Sequence, residues 1–432
     1  MTPRVAIIGA GWAGLSAAVA LAPAANLVLY EAGKVAGGRA RRVELDGMAL
    51  DNGQHILIGA YRDTLQLLRT VGVDPAAQLA AQPLAWLQVD GMAMRCPDWP
   101  APLHLLAGLL TARGLRWRDK LAMLRLLTWL RWQGWKIGQD APALAWLAAH
   151  GQSEALLQRF WTPLILATLN TPPVQASMQL LANVLRDSLG APAADASRLL
   201  LPRCDLGHLL VDPALQWLAA RGADIRLGHR VAELAPQPDG SWRVDGAAFD
   251  AVVVAVAPYH AGALLDHAPL QTLLKGWQYQ PISTVYLQFE GRVRLPAVMT
   301  GQAYGCGQWW FDRQALSGEP GLVSVVISAQ GAHDALTRDA LREQLLAEMR
   351  RHVPDLPPLK ASWQITEQRA TFAANVGLPR PDVRLGVESA YLAGDWLCAD
   401  YPATLEGAVR SGIVAARTLM QDWTKKNDGN LR

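Results

Sequence analysis

The sequence predicts an α/β chain in which a parallel-sheet, dinucleotide-type domain is interleaved with an α+β domain inserted in pieces. Three observations predict it. A strand–glycine loop–helix–strand unit opens the chain between Arg4 and Glu31. Strand patterns return between Gly222 and Ala257 after a long helical stretch. A last short strand and a helix close the chain, from Tyr391 to Met420. Segments of one kind at the start, middle and end of 432 residues imply a discontinuous domain.

Each element has its own reason. Arg4-Val-Ala-Ile-Ile8 is a short apolar run that reads as a buried strand, and Leu15 to Leu21 has helical composition. Asn26-Leu-Val-Leu-Tyr30 is the second strand, ending at Glu31. From Asp63 to about Trp217 the chain is mainly helical and rich in Leu, Ala, Trp and Arg. Ile225 to Leu234, Ser241 to Val244 and Asp250 to Ala257 read as strands, the last stopped by Pro258. Ile282 to Phe289 and Leu322 to Ser328 read as sheet strands, and Thr337 to His352 as an amphipathic helix. The expected nucleotide domain is 1–75, 222–260 and 386–422. The expected substrate domain is 76–221 and 261–385, with a helical part at 100–161. Residues 423–432 are expected to be a flexible tail.

Bulk composition narrows the function. A formal net charge of +3 gives no reason to expect nucleic acid. Cys96, Cys204, Cys306 and Cys398 stand far apart, so neither a disulfide framework nor a metal site is expected. The first apolar run begins almost at the N-terminus, with no leader pattern. No apolar run reaches the roughly 18–20 residues of a spanning helix. The expected location is cytoplasmic. Seventeen Trp against five Phe suggest broad apolar surfaces with polar edges. Residues 111–136 carry seven Lys or Arg against Asp119, interleaved with Trp117, Trp129, Trp132 and Trp135. Such a basic, Trp-rich helix can lie in a membrane interface, here the inner face of the cell membrane.

The opening loop, Gly9-Ala10-Gly11-Trp12-Ala13-Gly14, follows a strand and precedes a helix, the context in which GxGxxG has meaning. Gly9 permits the tight turn, Gly11 the approach of a pyrophosphate, and Gly14 close packing of helix on sheet. Phosphates then sit at a helix N-terminus, where free amides favour negative charge. Glu31 can accept both ribose hydroxyls and would repel a 2′-phosphate, which disfavours NADP. Gly37-Gly38-Arg39 and Gly394-Asp395 extend the pattern to a longer cofactor with a second phosphate contact and a sugar-alcohol chain, namely FAD.

Taken together, Gly9 to Gly14, Glu31, Gly38-Arg39, Leu392 to Asp395 and Thr404-Leu-Glu-Gly-Ala408 resemble the flavin amine oxidase and carotenoid desaturase superfamily. The resemblance implies a Rossmann-type FAD-binding domain interleaved with an α+β substrate domain. It also implies that Arg39 contacts the pyrophosphate and Asp395 the ribityl chain. Thr404 and Leu405 would offer an amide to the flavin pyrimidine, and Val231 would meet the adenine through its backbone. Leu50 to Tyr61, Leu200 to Gly207 and Pro402 to Gly412 resemble the squalene-associated flavoproteins, which act as hydroxysqualene dehydroxylases. That resemblance implies a hydrophobic isoprenoid substrate, hydroxysqualene, and places Gly53, Gln54 and His55 near the flavin. His55 is then the first candidate for the acid that protonates the leaving hydroxyl, with Asp400 and Tyr401 after it. Two alternatives stand beside it: a carotenoid-type desaturase, and a non-catalytic prenyl-binding escort of the GDI type. Amine oxidation fits less well, and Cys398 reads as a free thiol. The electron donor is not legible in the sequence.

Overall fold

The computed structural model describes residues 2–190 and 194–429. Its first sheet has five parallel strands in the order Asp224–Leu227, Asn26–Glu31, Arg4–Ile8, Ala251–Val254, Ala390–Leu392. A parallel strand is buried on both faces, so it reads as one apolar run. Val5 and Ile7 of Arg4–Ile8 join the core under helices Trp12–Leu21 and Leu405–Gly429, while Ala6 and Ile8 join the core on the other face. The two helices pack so closely that a Cβ added at Gly412 would stand 2.1 Å from Ser16 Oγ. The other face is covered by Trp242, Val244 and Phe249 of a three-stranded antiparallel sheet, and by Ala261 and Leu270 of helices Pro258–Leu265 and Ala268–Leu274.

A second, antiparallel sheet runs Met299–Gly301, Trp309–Asp312, Leu322–Ser328, Tyr279–Phe289, Leu359–Phe372. Its alternating side chains divide two environments. Trp310, Val323, Val325 and Ile327 pack on Leu341, Leu345 and Met349 of helix Arg338–His352. Trp309, Phe311, Val326 and Ser328 line a large internal cavity on the opposite face. Helices Leu103–Thr111, Trp117–Trp132, Thr162–Leu169 and Met178–Ser188 wall that cavity, and Ala143–Ala149 packs with them in a core that includes Met123, Leu130, Trp161 and Leu181.

Four sequence expectations change. The run 225–234 breaks after Leu227, because Gly228 turns at φ +71° and its amide bonds the Gly33 carbonyl at 2.8 Å. The helical stretch 63–217 also contains strands Leu79–Gln82, Ala85–Leu87, Ala93–Arg95 and Leu199–Pro202. Leu206, Leu210, Ala214 and Leu218, placed in the substrate domain by sequence, pack in the core beneath the first sheet. The final helix continues to Gly429, into the segment expected to be a flexible tail. Asp422 anchors it by pairing with Arg384 at 2.8 Å and accepting the Tyr391 hydroxyl at 2.9 Å, and extending a formed helix costs little. Residues 430–432 of the expected tail lie outside the described residues.

Candidate functional site

The glycine loop shows which positions are tight and which are open. Gly9 has φ +106°, and a Cβ there would meet the Ala255 carbonyl oxygen at 2.6 Å. At Gly14 it would stand 1.9 Å from the Gly9 carbonyl, so helix and loop touch backbone to backbone. Gly11 differs: its only neighbour within 4 Å would be Gly38 Cα at 3.8 Å. The loop is thus closed where it packs and open where a phosphate would approach. Trp12 and Ala13 are buried, and the Trp12 indole donates to the Ala40 carbonyl at 3.1 Å. Gly37 donates to the Ala10 carbonyl at 2.8 Å, which docks the second glycine element against the first.

Glu31 lines the same cavity. Its carboxylate accepts from the Ala10 amide at 2.9 Å and the Gly33 amide at 2.8 Å. A carboxylate has about four acceptor sites, so two remain for a ribose. Val231 is buried at this end. Among the described residues its backbone amide and carbonyl have no hydrogen-bond partner, which suits an adenine edge.

Arg39 and Asp395, expected to hold separate parts of the cofactor, pair with each other at 2.6 Å. Arg39 also donates to the Ala370 carbonyl at 2.7 Å. Sequence carries no signal of this pair, which spans 356 positions. Gly394 donates to Ser411 Oγ at 2.8 Å and so ties the end of the last strand to the final helix. Thr404 caps that helix by accepting the Gly407 amide at 3.0 Å. Thr404 and Leu405 both line the cavity. Glu406 was missed by sequence reasoning. Fully buried, it accepts from the Asp63 and Thr64 amides at 3.2 and 2.9 Å and from Thr64 Oγ1 at 2.7 Å. Its carboxylate therefore caps helix Arg62–Thr70, and the favourable helix dipole and Arg410 at 2.9 Å hold the charge there. The signal available in sequence was the Glu406/Arg410 spacing of four.

Of the residues singled out near the reaction, Gly53, Gln54, His55 and Tyr401 line the cavity. His55 Nδ1 lies 2.6 Å from the Gly53 carbonyl and so carries the proton, leaving Nε2 with its lone pair. Burial holds the His55 pKa below the usual imidazole range, and Arg39 adds to the effect. Gln54 Oε1 accepts from Arg313 and Ser324, each at 3.1 Å. The Tyr401 hydroxyl donates to Asp187, and burial followed by that carboxylate pushes the phenol pKa above its ordinary value. Asp400 does not belong with them. It is exposed and lies outside the cavity wall, because the turn in which the Tyr401 amide bonds the Cys398 carbonyl at 3.1 Å faces it outward. Glu367 and Asp187 are cavity carboxylates that sequence reasoning missed. The Cys398 thiol is pushed up to about 11 by burial and bonds the Gly407 carbonyl at 3.2 Å, so it is held as an unreactive thiol.

The cavity encloses about 1450 Å³. Single-ligand pockets hold roughly 300–1,000 Å³, so there is room for a cofactor and a second large ligand. The cofactor loops with Glu31, Val231, Arg39, Asp395 and His55 form one part of its wall, and Leu105, Leu109, Met123, Leu127, Phe160 and Trp135 form an apolar arm.

Known proteins resemble this chain in sequence and share its fold. The profile of the flavin containing amine oxidoreductase family matches residues 12–420. The chain is 34% identical to a hydroxysqualene dehydroxylase of Rhodopseudomonas palustris, covering 96% of this chain and 98% of that protein. It is 25% identical to a zeta-carotene desaturase of Synechocystis sp., covering 96% and 97%. Among solved structures, cyclohexylamine oxidase from Brevibacterium oxydans superposes with a TM-score of 0.71 at 17% identity, over 98% and 100% of the two chains. The glycine loops, the open Gly11, the capped final helix and the cavity volume all fit FAD, which is the cofactor. This chain belongs to the flavin containing amine oxidoreductase family, in the group of relatives named hydroxysqualene dehydroxylase.

Proposed function

We propose that this chain replaces the allylic hydroxyl of hydroxysqualene with hydride to give squalene. The observation that carries the reading is the single cavity joining the cofactor loops to a long apolar arm. The full-length relatives support the same choice of substrate. In the reaction a C–O bond breaks, a proton goes to the departing hydroxyl, water leaves, and a hydride forms the new C–H bond. Bound reduced flavin supplies the hydride and its two electrons.

The chain's own residues supply the rest. Gly9 to Gly14 and Arg39 would hold the phosphates, Asp395 the ribityl chain, Glu31 the ribose and Val231 the adenine. Thr404 and Leu405 would present the helix N-terminus to the pyrimidine edge. Leu105, Leu127, Phe160 and the other apolar walls exclude water from the developing allylic cation. Proton delivery falls to His55. A depressed pKa makes its protonated form a stronger acid, though a scarcer one at neutral pH. Tyr401 is a weaker choice because its proton is already committed to Asp187.

The substrate reaches this cavity from a membrane surface. Leu103, Leu106 and Leu110 of one helix and Trp117, Leu121 and Trp132 of the next are exposed, Trp132 by 82% and Trp117 by 62%. Leu105, Leu109, Leu124 and Leu127 of the same helices line the cavity, and so do the exposed Leu103 and Leu106. Lys120 is buried and ties the pair together through the Leu110 carbonyl at 2.6 Å, so the exposed cations of this region are the surrounding arginines and Lys136. No helix among the described residues is long and apolar enough to cross a bilayer.

A second reading, a carotenoid-type desaturase, is favoured by the zeta-carotene desaturase relative. It uses the same apolar arm with hydride moving the opposite way. Anaerobic incubation of the reduced holoprotein with hydroxysqualene, followed by gas chromatography, decides between them. Squalene is expected. Untouched hydroxysqualene together with dehydrogenation of phytoene-like substrates by the oxidised protein would establish the desaturase instead.

A further inference from the structure

Helix Met178–Ser188 belongs to the wall of the substrate cavity. Val184, Leu185, Asp187 and Ser188 line the cavity, while Met178, Leu181 and Ala182 are buried in the helical core. Asn183 and Asp187 are one helical step of four apart, so their side chains lie in line on one face. Both reach the segment just ahead of the final helix. Asn183 Nδ2 donates to the Asp400 carbonyl at 3.2 Å, and the Tyr401 hydroxyl donates to Asp187 Oδ2.

Asp187 is held at its own end. Arg186 contacts both its oxygens, at 2.6 and 3.3 Å. Burial works against the charge, but the bonds from Arg186 and Tyr401 outweigh it and keep the carboxyl below the usual range. Tyr401 is held on its other sides by residues outside helix Met178–Ser188. Arg380 donates to its carbonyl at 3.4 Å, and the Arg410 guanidinium lies 4.8 Å over its ring. Its hydroxyl alone among these contacts crosses to the substrate wall. Thr404 and Leu405, which would meet the pyrimidine edge of the cofactor, follow three and four residues on.

We infer that Asp187 is a positioning residue: through the Tyr401 hydroxyl it fixes the distance between the apolar substrate wall and the cofactor end of the cavity. The inference rests on the reaction assigned under Proposed function only in that a carbon must be presented to the flavin. Hydride transfer demands close approach, and a displacement of about 1 Å can cost on the order of 100-fold in rate. Asparagine at 187 retains an acceptor oxygen for the phenol and alanine does not. Phenylalanine at 401 removes only the hydroxyl.

The test compares Asp187→Ala, Asp187→Asn, Tyr401→Phe and the Asp187→Ala/Tyr401→Phe double variant as FAD-loaded proteins. It uses whichever substrate the wild-type protein converts, so failure on hydroxysqualene counts against that substrate and not against the Asp187–Tyr401 contact. Asp187→Ala and Tyr401→Phe should each lower kcat by roughly 10- to 100-fold with little change in KM and full flavin content. The double variant should be no worse than either single, and Asp187→Asn should keep most of the rate. The visible circular dichroism of the bound flavin, read without substrate, should shift in Asp187→Ala and Tyr401→Phe alike and stay near wild type in Asp187→Asn. Additive losses, an unchanged rate and spectrum in Tyr401→Phe, or an effect confined to KM would overturn the inference. If Asp187→Ala fails to fold, Tyr401→Phe against wild type decides the matter by the same criteria.

Discussion

Replacing Asp51 with Asn should stabilise the protein much more at alkaline pH than at acid pH. Asp51 is 2% exposed at the end of strand Met48–Asp51. One oxygen accepts the Leu206 amide at 2.8 Å, and its carbonyl accepts the Tyr286 hydroxyl at 2.9 Å. Burial raises its pKa from 3.8 to about 7, against the opposing pull of the Leu206 bond and Arg313. A carboxyl whose folded pKa lies above its unfolded value contributes stability that is full below the unfolded pKa, near 3.8, and is lost as pH rises through about 7. Each pKa unit is worth about 1.4 kcal/mol, so ionisation of Asp51 costs on the order of 4 kcal/mol above pH 8. Asparagine keeps the acceptor for Leu206 and never ionises. Unfolding entropy near 2.1 cal/mol/K per residue turns that difference into roughly 4 °C for a chain of this length. Melting followed by circular dichroism at pH 5 and pH 8.5 reads it directly. A gain of the same size at both pH values, or a gain only at pH 5, would refute the reasoning.

Other outcomes follow from the same geometry. Gly14→Ala should abolish flavin retention, measured by absorbance after gel filtration, because its Cβ would stand 1.9 Å from the Gly9 carbonyl. Glu406→Ala leaves the Asp63 amide and both Thr64 donors without their acceptor, while Arg410 keeps Asp63 at 3.1 Å, and should cost roughly 1–3 kcal/mol in denaturant melts, whereas Glu406→Gln should cost less. If His55 is the acid, kcat should fall as pH rises through an apparent pKa below the ordinary imidazole value, and His55→Gln should remove that limb of the profile. Trp117→Glu, Leu121→Glu and Trp132→Glu together should abolish flotation with anionic liposomes while sparing turnover of detergent-dispersed substrate. Unchanged flotation would exclude this face as the membrane contact.

What the sequence made legible follows from where each constraint acts. Gly9 is demanded by its own φ of +106° and Gly14 by the Gly9 carbonyl five residues away, so the loop reads directly. The near-continuous apolar run of Leu322–Ser328 likewise reports a strand buried on both faces. Contacts between distant segments leave no local mark. Glu367 sits in a strand, where an isolated carboxylate resembles any solvent-facing residue. The Arg39–Asp395 pair and the Asp187–Tyr401 contact join positions hundreds of residues apart. Asp400 was misplaced because nearness to Gly394-Asp395 along the chain does not survive the turn at Cys398–Tyr401. In the basic, Trp-rich segment, composition correctly marked an unusual helix but could not separate Lys120, Leu126 and Leu130, which are buried, from Trp117 and Trp132, which are exposed.

The most direct test of the central claim follows the flavin itself. FAD bound to this chain is reduced anaerobically, excess reductant is removed, and hydroxysqualene is added. The account predicts that the oxidised flavin absorbance returns in step with squalene, one molecule formed per flavin oxidised. Flavin that stays reduced in the presence of hydroxysqualene, with no squalene formed, would contradict it.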